Sequence, residues 1–180
     1  MALTYAMSPR GACHVADPML FVEMGACFYP EIGFEFDLEP KTDENKPEAA
    51  AISIALGNIE NSACFCQFAD REVSIPQWVE LFNTVPGYDW EIQDMMNAGK
   101  RVFFLKRLMN YRYGLTSRDD ALTPRMLEPA RDGDPEGIEI NFDGMKEKFY
   151  SLMDMDPEKG IPSRAALEEY GLGEEAGRVW

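Results

Sequence analysis

The chain has 180 residues, enough for one domain with a sizeable apolar core and no need of disulfide staples. Its 17 basic and 32 acidic residues leave a net charge of −15, which excludes nucleic acid as the main partner and an anionic membrane as a docking surface, since both need clustered Lys and Arg. No run approaches the roughly 18 apolar residues of a membrane span, and Ser8-Pro9-Arg10-Gly11 interrupts any secretory signal, so the chain reads as a cytoplasmic protein of a reducing compartment.

Residues 1–30 are rich in Met, Phe, Ala, Gly and Cys, which predicts a segment meant to be buried, not a frayed terminus. Residues 30–48 turn acidic and carry three prolines, so they read as a surface excursion. From Pro47 to about Phe68 an Ala-, Ile- and Leu-rich run predicts a buried helix broken before Cys64. Ser74 is placed to cap a helix with Pro76 in its first turn and Trp78, Leu81 and Phe82 on one face, closed by Gly87. The strongest helical pattern runs from a capping Asp89 to Tyr113, with Ile92, Met95, Met96, Val102, Phe103, Leu105, Leu108 and Met109 at near-helical spacing and Gly114 as its stop. Cations crowd its later turns, where the helix dipole favours them. Residues 115–140 are loop-like. A further amphipathic helix covers Phe142 to Met153, with Met145, Phe149, Tyr150 and Leu152 apolar, and Ser163 caps a last short one ending at Gly171. No useful β-alternation, repeat or low-complexity tract occurs, so the fold class is all-α and multihelical.

Chemistry-bearing residues are few. His14 is the only histidine, and it follows Cys13 just after a turn signal. Cys13, Cys27, Cys64 and Cys66 contain no CxxC pair, and free cysteines pack readily as small apolar groups. A zinc site from Cys13, His14, Cys64 and Cys66 lacks the usual spacing. Asp132, Asp134 and the segment Asp154 to Gly160 fail the calcium-loop pattern, and the Asp119-Asp120 pair suits capping or ion pairing better than acid–base work. No nucleophile elbow, HExxH pair, Walker loop or GxGxxG turn is present.

Three strings resemble a known family. Gly99-Lys-Arg-Val-Phe-Phe-Leu-Lys-Arg-Leu-Met-Asn110, then Tyr-Arg-Tyr-Gly-Leu-Thr116 and Arg118-Asp-Asp-Ala-Leu-Thr-Pro-Arg125, is similar to the C-terminal region of the tungsten-containing aldehyde:ferredoxin oxidoreductases. So are Gly160-Ile-Pro-Ser-Arg164 with Leu167-Glu-Glu-Tyr-Gly-Leu172, and the opening Ser8-Pro-Arg-Gly-Ala-Cys-His14, which looks like the start of that family's third domain. The resemblance implies a single helical domain over residues 1–180, a fragment of a longer chain, with a cofactor-facing part at 1–70 and a scaffold and tail at 71–180. The parent would add a β-domain and a second helical domain. It would hold tungsten or molybdenum on two pterins beside a 4Fe-4S cluster, oxidise small aldehydes to carboxylic acids and deliver electrons to ferredoxin, and the family also allows a homodimer. The family segment with three of the four cluster cysteines is missing, so the isolated chain is expected to hold no complete cofactor.

By the same resemblance, His14 matches the histidine beside the tungsten, which handles protons or orients the substrate carbonyl. Cys66 matches the fourth cluster cysteine. Around it the family reads Asp-x-x-Gly-Leu-Cys and also touches a pterin, where this chain has Asn61-Ser-Ala-Cys64-Phe65-Cys66 followed by Gln67. Asn61, Cys64, Phe65 and Gln67 are thus the implied cofactor-contacting positions. Two other functions stay open beside aldehyde oxidation: reduction of aromatic acyl thioesters on the same scaffold, and a cofactor-free helical binding or assembly module.

Overall fold

The computed structural model describes residues 1–35, 38–69, 72–133 and 137–180. Asp134, weighed above, and Pro135 lie outside them. Nine helices occur among the described residues: α1 (Ala2–Met7), α2 (Met19–Glu23), α3 (Lys46–Ser62), α4 (Ile75–Thr84), α5 (Ile92–Arg112), α6 (Pro124–Leu127), α7 (Phe142–Leu152), α8 (Arg164–Glu169) and α9 (Gly173–Ala176). The described residues include no strand, only one isolated bridge between Met155 and Pro162. The all-α expectation holds.

Two long helices organise the rest. α3 and α5 form the most extensive helix pair. A side chain at Gly99 would overlap the Ala55 carbonyl oxygen, so α5 lies against the bare backbone of α3 at that crossing. Only a residue without Cβ allows such an approach.

The apolar core divides along these helices. One cluster gathers Leu3 and Met7 of α1, Ile54 of α3, Phe103, Phe104 and Leu108 of α5, Phe149 of α7 and Leu167 of α8. Phe103 meets Phe149 edge-on at 6.2 Å, while Phe104 meets Tyr170 at 5.2 Å. The second joins Met19, Phe34, Leu56, Ile59, Ile75, Trp78, Met95 and Met96. Each fully buried large side chain contributes about 1.5–3 kcal/mol, so α3, which enters both clusters, ties them together.

Local chemistry sets the boundaries. At α4 the Ser74 backbone N–H donates to Gln77 Oε1 at 2.9 Å in a reciprocal capping box. Ser163 Oγ accepts from Ala166 N at 3.0 Å and starts α8. α5 begins later than expected, because Glu91, not Asp89, occupies the cap with Asp94 as its return partner.

Other expectations fail for reasons of packing. Leu81, Leu105, Met109 and Leu152 are exposed, whereas Phe104 is fully buried. Phe103 meets Phe149 of α7 and Phe104 meets Tyr170 at the end of α8, so these adjacent side chains both face apolar partners. The 30–48 segment is not wholly superficial: a 3-10 turn at Pro30–Ile32 delivers Phe34 into the second cluster, and Lys46 is buried against Glu23, Nζ to Oε1 2.7 Å. Of the apolar start, Leu3, Met7, Met19 and Phe21 are buried but Met24 and Phe28 are exposed.

Arg107, expected to serve the helix dipole, is instead buried. Its Nη1 donates to Asp120 Oδ1 at 2.6 Å, a second bond joins Nη2 to Asp120 Oδ2, and Nε donates to the Gly160 carbonyl at 2.9 Å. The Tyr150 hydroxyl donates to the same Asp120 carboxylate. Asp119 accepts from Thr116 N at 2.7 Å. The acidic pair therefore divides into one ion-pair member and one turn cap.

Candidate functional site: the His14 loop and the Cys66 turn

The loop bearing His14 begins where Pro9 forces Ser8 out of helical geometry and ends α1. Two carboxamides hold its ends. Asn110 of α5 donates Nδ2 to the Pro9 carbonyl at 2.7 Å. Asn61 of α3 donates Nδ2 to the Ala16 carbonyl at 3.2 Å and to Gly57 O at 2.5 Å. Beneath the second staple, a Cβ at Gly57 would stand 2.6 Å from Ala16 O and from the Asp17 Cα, so the loop rests directly on the α3 backbone. Between the staples Cys13 is half-buried and His14 is exposed. His14 makes no hydrogen bond or ion pair with a described residue, so its imidazole faces outward and is available to a ligand.

The Cys66 turn follows from how α3 stops. Cys64 N–H donates to Asn61 O at 3.2 Å and Phe65 N–H to Glu60 O at 3.1 Å, the paired bonds of a Schellman cap. That cap requires a left-handed residue, and Cys64 supplies it at φ 56°. The pattern resembled above has glycine here, and the backbone shows why. A residue with a Cβ is strained at this position by about 1 kcal/mol. Beyond the cap, Phe65 packs edge-on against Trp78 at 4.5 Å. Cys64 and Cys66 are exposed free thiols. The Gln67 carboxamide is the odd member: its Nε2 and Oε1 are both buried without a hydrogen-bond partner among the described residues. Buried amides are almost always satisfied, so this one calls for a polar group.

The two segments meet at the C-terminal end of α3. Asn61 belongs to the last turn before Cys64 and staples the His14 loop. Phe21, just after that loop, meets Phe68, just after Cys66, edge-on at 5.8 Å. Among the described residues no three His, Cys, Asp or Glu side chains cluster to hold a metal. The arrangement offers one accessible imidazole and two accessible thiols on adjoining backbone, but no complete metal site.

Three polar residues near the loop escape sequence reasoning. Asp17 is buried and accepts from Met19 N at 3.0 Å. Burial raises its carboxyl from 3.8 to about 6, against the lowering effect of the Met19 N–H. Lys106 donates Nζ to Asn58 Oδ1 at 2.7 Å. Asp17 alone carried a signal, as the first acidic residue of an apolar stretch; the partners of Asn58 and Lys106 are set by tertiary structure.

Among the described residues no helix is long and apolar enough to cross a membrane. Residues 1–172 match the family model described as aldehyde ferredoxin oxidoreductase, domains 2 and 3. The chain is 28% identical over 175 residues to the tungsten-containing aldehyde ferredoxin oxidoreductase of Pyrococcus furiosus, covering 96% of this chain and 28% of that protein. It is 26% identical to the protein of the same description from Thermococcus kodakarensis, with the same coverage. It therefore spans under a third of the length of these relatives. A WOR-like subunit of an aliphatic sulfonate oxidoreductase from Pyrococcus furiosus is 29% identical over 123 residues, 63% of this chain and 19% of that one. In fold, the chain is similar to the active-site complex BamBC of benzoyl coenzyme A reductase, with a TM-score of 0.62 at 16% identity over 76% of this chain and 20% of that one. The family model's match over residues 1–172 leads to one conclusion: the chain belongs to the aldehyde ferredoxin oxidoreductase family.

Proposed function

We propose that the chain is the C-terminal helical part of a tungsten-pterin enzyme that oxidises aldehydes to carboxylic acids, with electrons leaving through a 4Fe-4S cluster to ferredoxin. The observation that supports it best is the meeting of the His14 loop and the Cys66 turn at one end of α3. When bound, the tungsten-pterin group supplies a two-electron acceptor and the cluster a one-electron exit.

The residues fit those groups as contributors. A 4Fe-4S cluster takes four thiolates, and exposed Cys66 suits one of them, with three left to the rest of the parent chain. The orphaned Gln67 amide suits a polar edge such as a pterin's. Asn61 has both its N–H donors engaged by carbonyls, so only its Oδ1 is left for a cofactor. The Phe65 ring is occupied by Trp78 and its N–H by the Glu60 carbonyl, which leaves its own carbonyl for a cofactor. Cys64 stands beside Cys66 as a second thiol at the cap.

His14 has the proton work. Adding oxygen from water to an aldehyde carbon releases protons, and an imidazole is the side chain chemically suited to take them up. Its anchored loop keeps it above the site, while exposure lets the proton pass to solvent. The parent would work in the cytoplasm and take ferredoxin as acceptor.

The test uses the full-length parent expressed with tungstate. His14→Ala should retain tungsten and iron yet lose about a hundredfold or more in aldehyde turnover, the usual weight of a general acid–base group. Cys66→Ser should lose cluster iron. Normal turnover in His14→Ala removes the imidazole from the mechanism, and a metal-replete parent inert toward aldehydes overturns the reading.

A further inference from the structure

A cavity of about 80 Å³ lies under the His14 loop, between α3 and α5, lined by Arg10, Asp17, Asn58, Asn61 and Lys106 together with the loop backbone. One water needs about 10–15 Å³ of such space, so the cavity has room for several water-sized groups. Its charge is unusual for this molecule. In a chain with 32 acidic residues to 17 basic ones, two cations face the same small space, and neither forms an ion pair with a described residue. Lys106 spends one N–H on Asn58 Oδ1, which leaves two donors for the cavity. Arg10 donates to no described residue, so its planar fork of donors is open.

Holding these cations together has a cost. Burial and the nearby Arg10 guanidinium keep the Lys106 ammonium below its ordinary range. Asp17 does not relieve it. Its carboxyl is engaged by Met19 N–H, and the charges acting on it are those of Met1 and Glu23. An anion from outside, set between Arg10 and Lys106, removes the repulsion and satisfies both sets of donors.

We infer that this cavity binds a small oxyanion through Arg10 and Lys106, and that its natural occupant is a carboxylate of the kind produced beside His14. The carboxylate as occupant rests on the aldehyde-oxidising reading; the oxyanion site rests on the cavity alone. Ser8 to Arg10 and Ala16 to Asp17 flank His14 on both sides, so an acid released at the imidazole meets Arg10 on the same loop and Lys106 facing it from α5.

Amide-resolved NMR titration of the 180-residue chain with sodium acetate tests it, with sodium phosphate as a second probe and sodium chloride matching ionic strength. Saturable shifts at Arg10, Asn58 and Lys106 are expected with acetate. Arg10→Gln and Lys106→Gln together should weaken binding by about tenfold or more, the size of one lost charge-assisted hydrogen bond. Arg131→Gln, at an exposed cation in another loop, should change nothing. Arg10→Gln alone, on an exposed side chain, serves if the double variant loses its dispersed spectrum. Saturation by phosphate without acetate overturns the carboxylate. Absent saturation with either probe, or unchanged affinity in the variants, overturns the site. The titration involves no turnover, so a parent that oxidises aldehydes while its cavity ignores acetate sinks only this inference.

Discussion

Asn61 Nδ2 reaches across from α3 to the Ala16 carbonyl at 3.2 Å, so the side chain standing where the family pattern has an aspartate fastens the loop that carries His14. A carboxylate in its place has no hydrogen to give and would face two carbonyl oxygens, those of Ala16 and Gly57. Asn61→Asp should therefore loosen the loop and lower stability by about 1 kcal/mol. The single histidine makes the readout clean: its ring resonance should shift and broaden, and urea unfolding should give the stability change. An unmoved ring signal would contradict the staple.

The close approaches of α3 rank three glycine substitutions. Gly99→Ala drives a methyl into the Ala55 carbonyl, a backbone obstacle that cannot swing aside. It should cost about 3 kcal/mol or more, the upper end of overpacking. Gly57→Ala meets the Ala16–Asp17 loop at 2.6 Å and should displace that loop more than the core. Gly87→Ala has open space around it at φ +77° and should cost only about 1 kcal/mol of backbone strain. Equal losses in denaturant melts for all three would refute the ranking.

Arg107 and Asp120 are both buried, and removing one leaves the other charged without a partner. Asp120→Ala should destabilise by about 3–5 kcal/mol. Tyr150→Phe removes only the hydroxyl bond to Asp120 and should cost about 1 kcal/mol. Burial and the neighbouring Asp120 carboxylate push the Tyr150 phenol upward, so the wild-type spectrum should show no ionised Tyr150 through pH 10. A phenolate signal from this residue below that pH would break the assignment.

Asp17 gives a pH dependence of definite sign. Its folded-state pKa, raised by burial to about 6, exceeds the ordinary 3.8, so the native state binds the extra proton between those values. Stability from this group falls as pH rises through the window, and its cost is complete above pH 6. The nearby Glu23 acts oppositely, since Lys46 and the Met1 amine hold it below its ordinary value despite burial. Asp17→Asn isolates the effect and keeps an oxygen for Met19 N–H. Its advantage over wild type should be near zero at pH 4 and reach on the order of 3 kcal/mol at pH 7. A constant difference across that range would exclude the raised carboxyl.

Local rules read well from this sequence because their causes are local. Ser74 and Ser163 announce α4 and α8 by hydrogen bonds that span three residues. The end of α3 before Cys64 is similarly visible. Arg107 shows the limit of such rules: its position near a helix C-terminus suggested the dipole, while its partners lie 13 and 53 residues away. Leu105 and Met109 kept the helical period yet stayed exposed, because period alone does not say how wide the covered face is. At the candidate site, His14 and Cys66 were singled out by resemblance. Their anchors were not, for Asn61 and Asn110 bond to backbone carbonyls 45 and 101 residues distant, and a carbonyl carries no mark in sequence.

The bare crossing of Gly99 on Ala55 reaches further than core packing. Because the two rods that bear Asn61 and Asn110 touch there without side chains between them, their relative height is locked. The tether of the imidazole is thus strung between posts of fixed spacing. A bulkier residue at that crossing would draw the tether taut or slacken it from a distance, which makes a remote glycine a tuning point for where the imidazole is held.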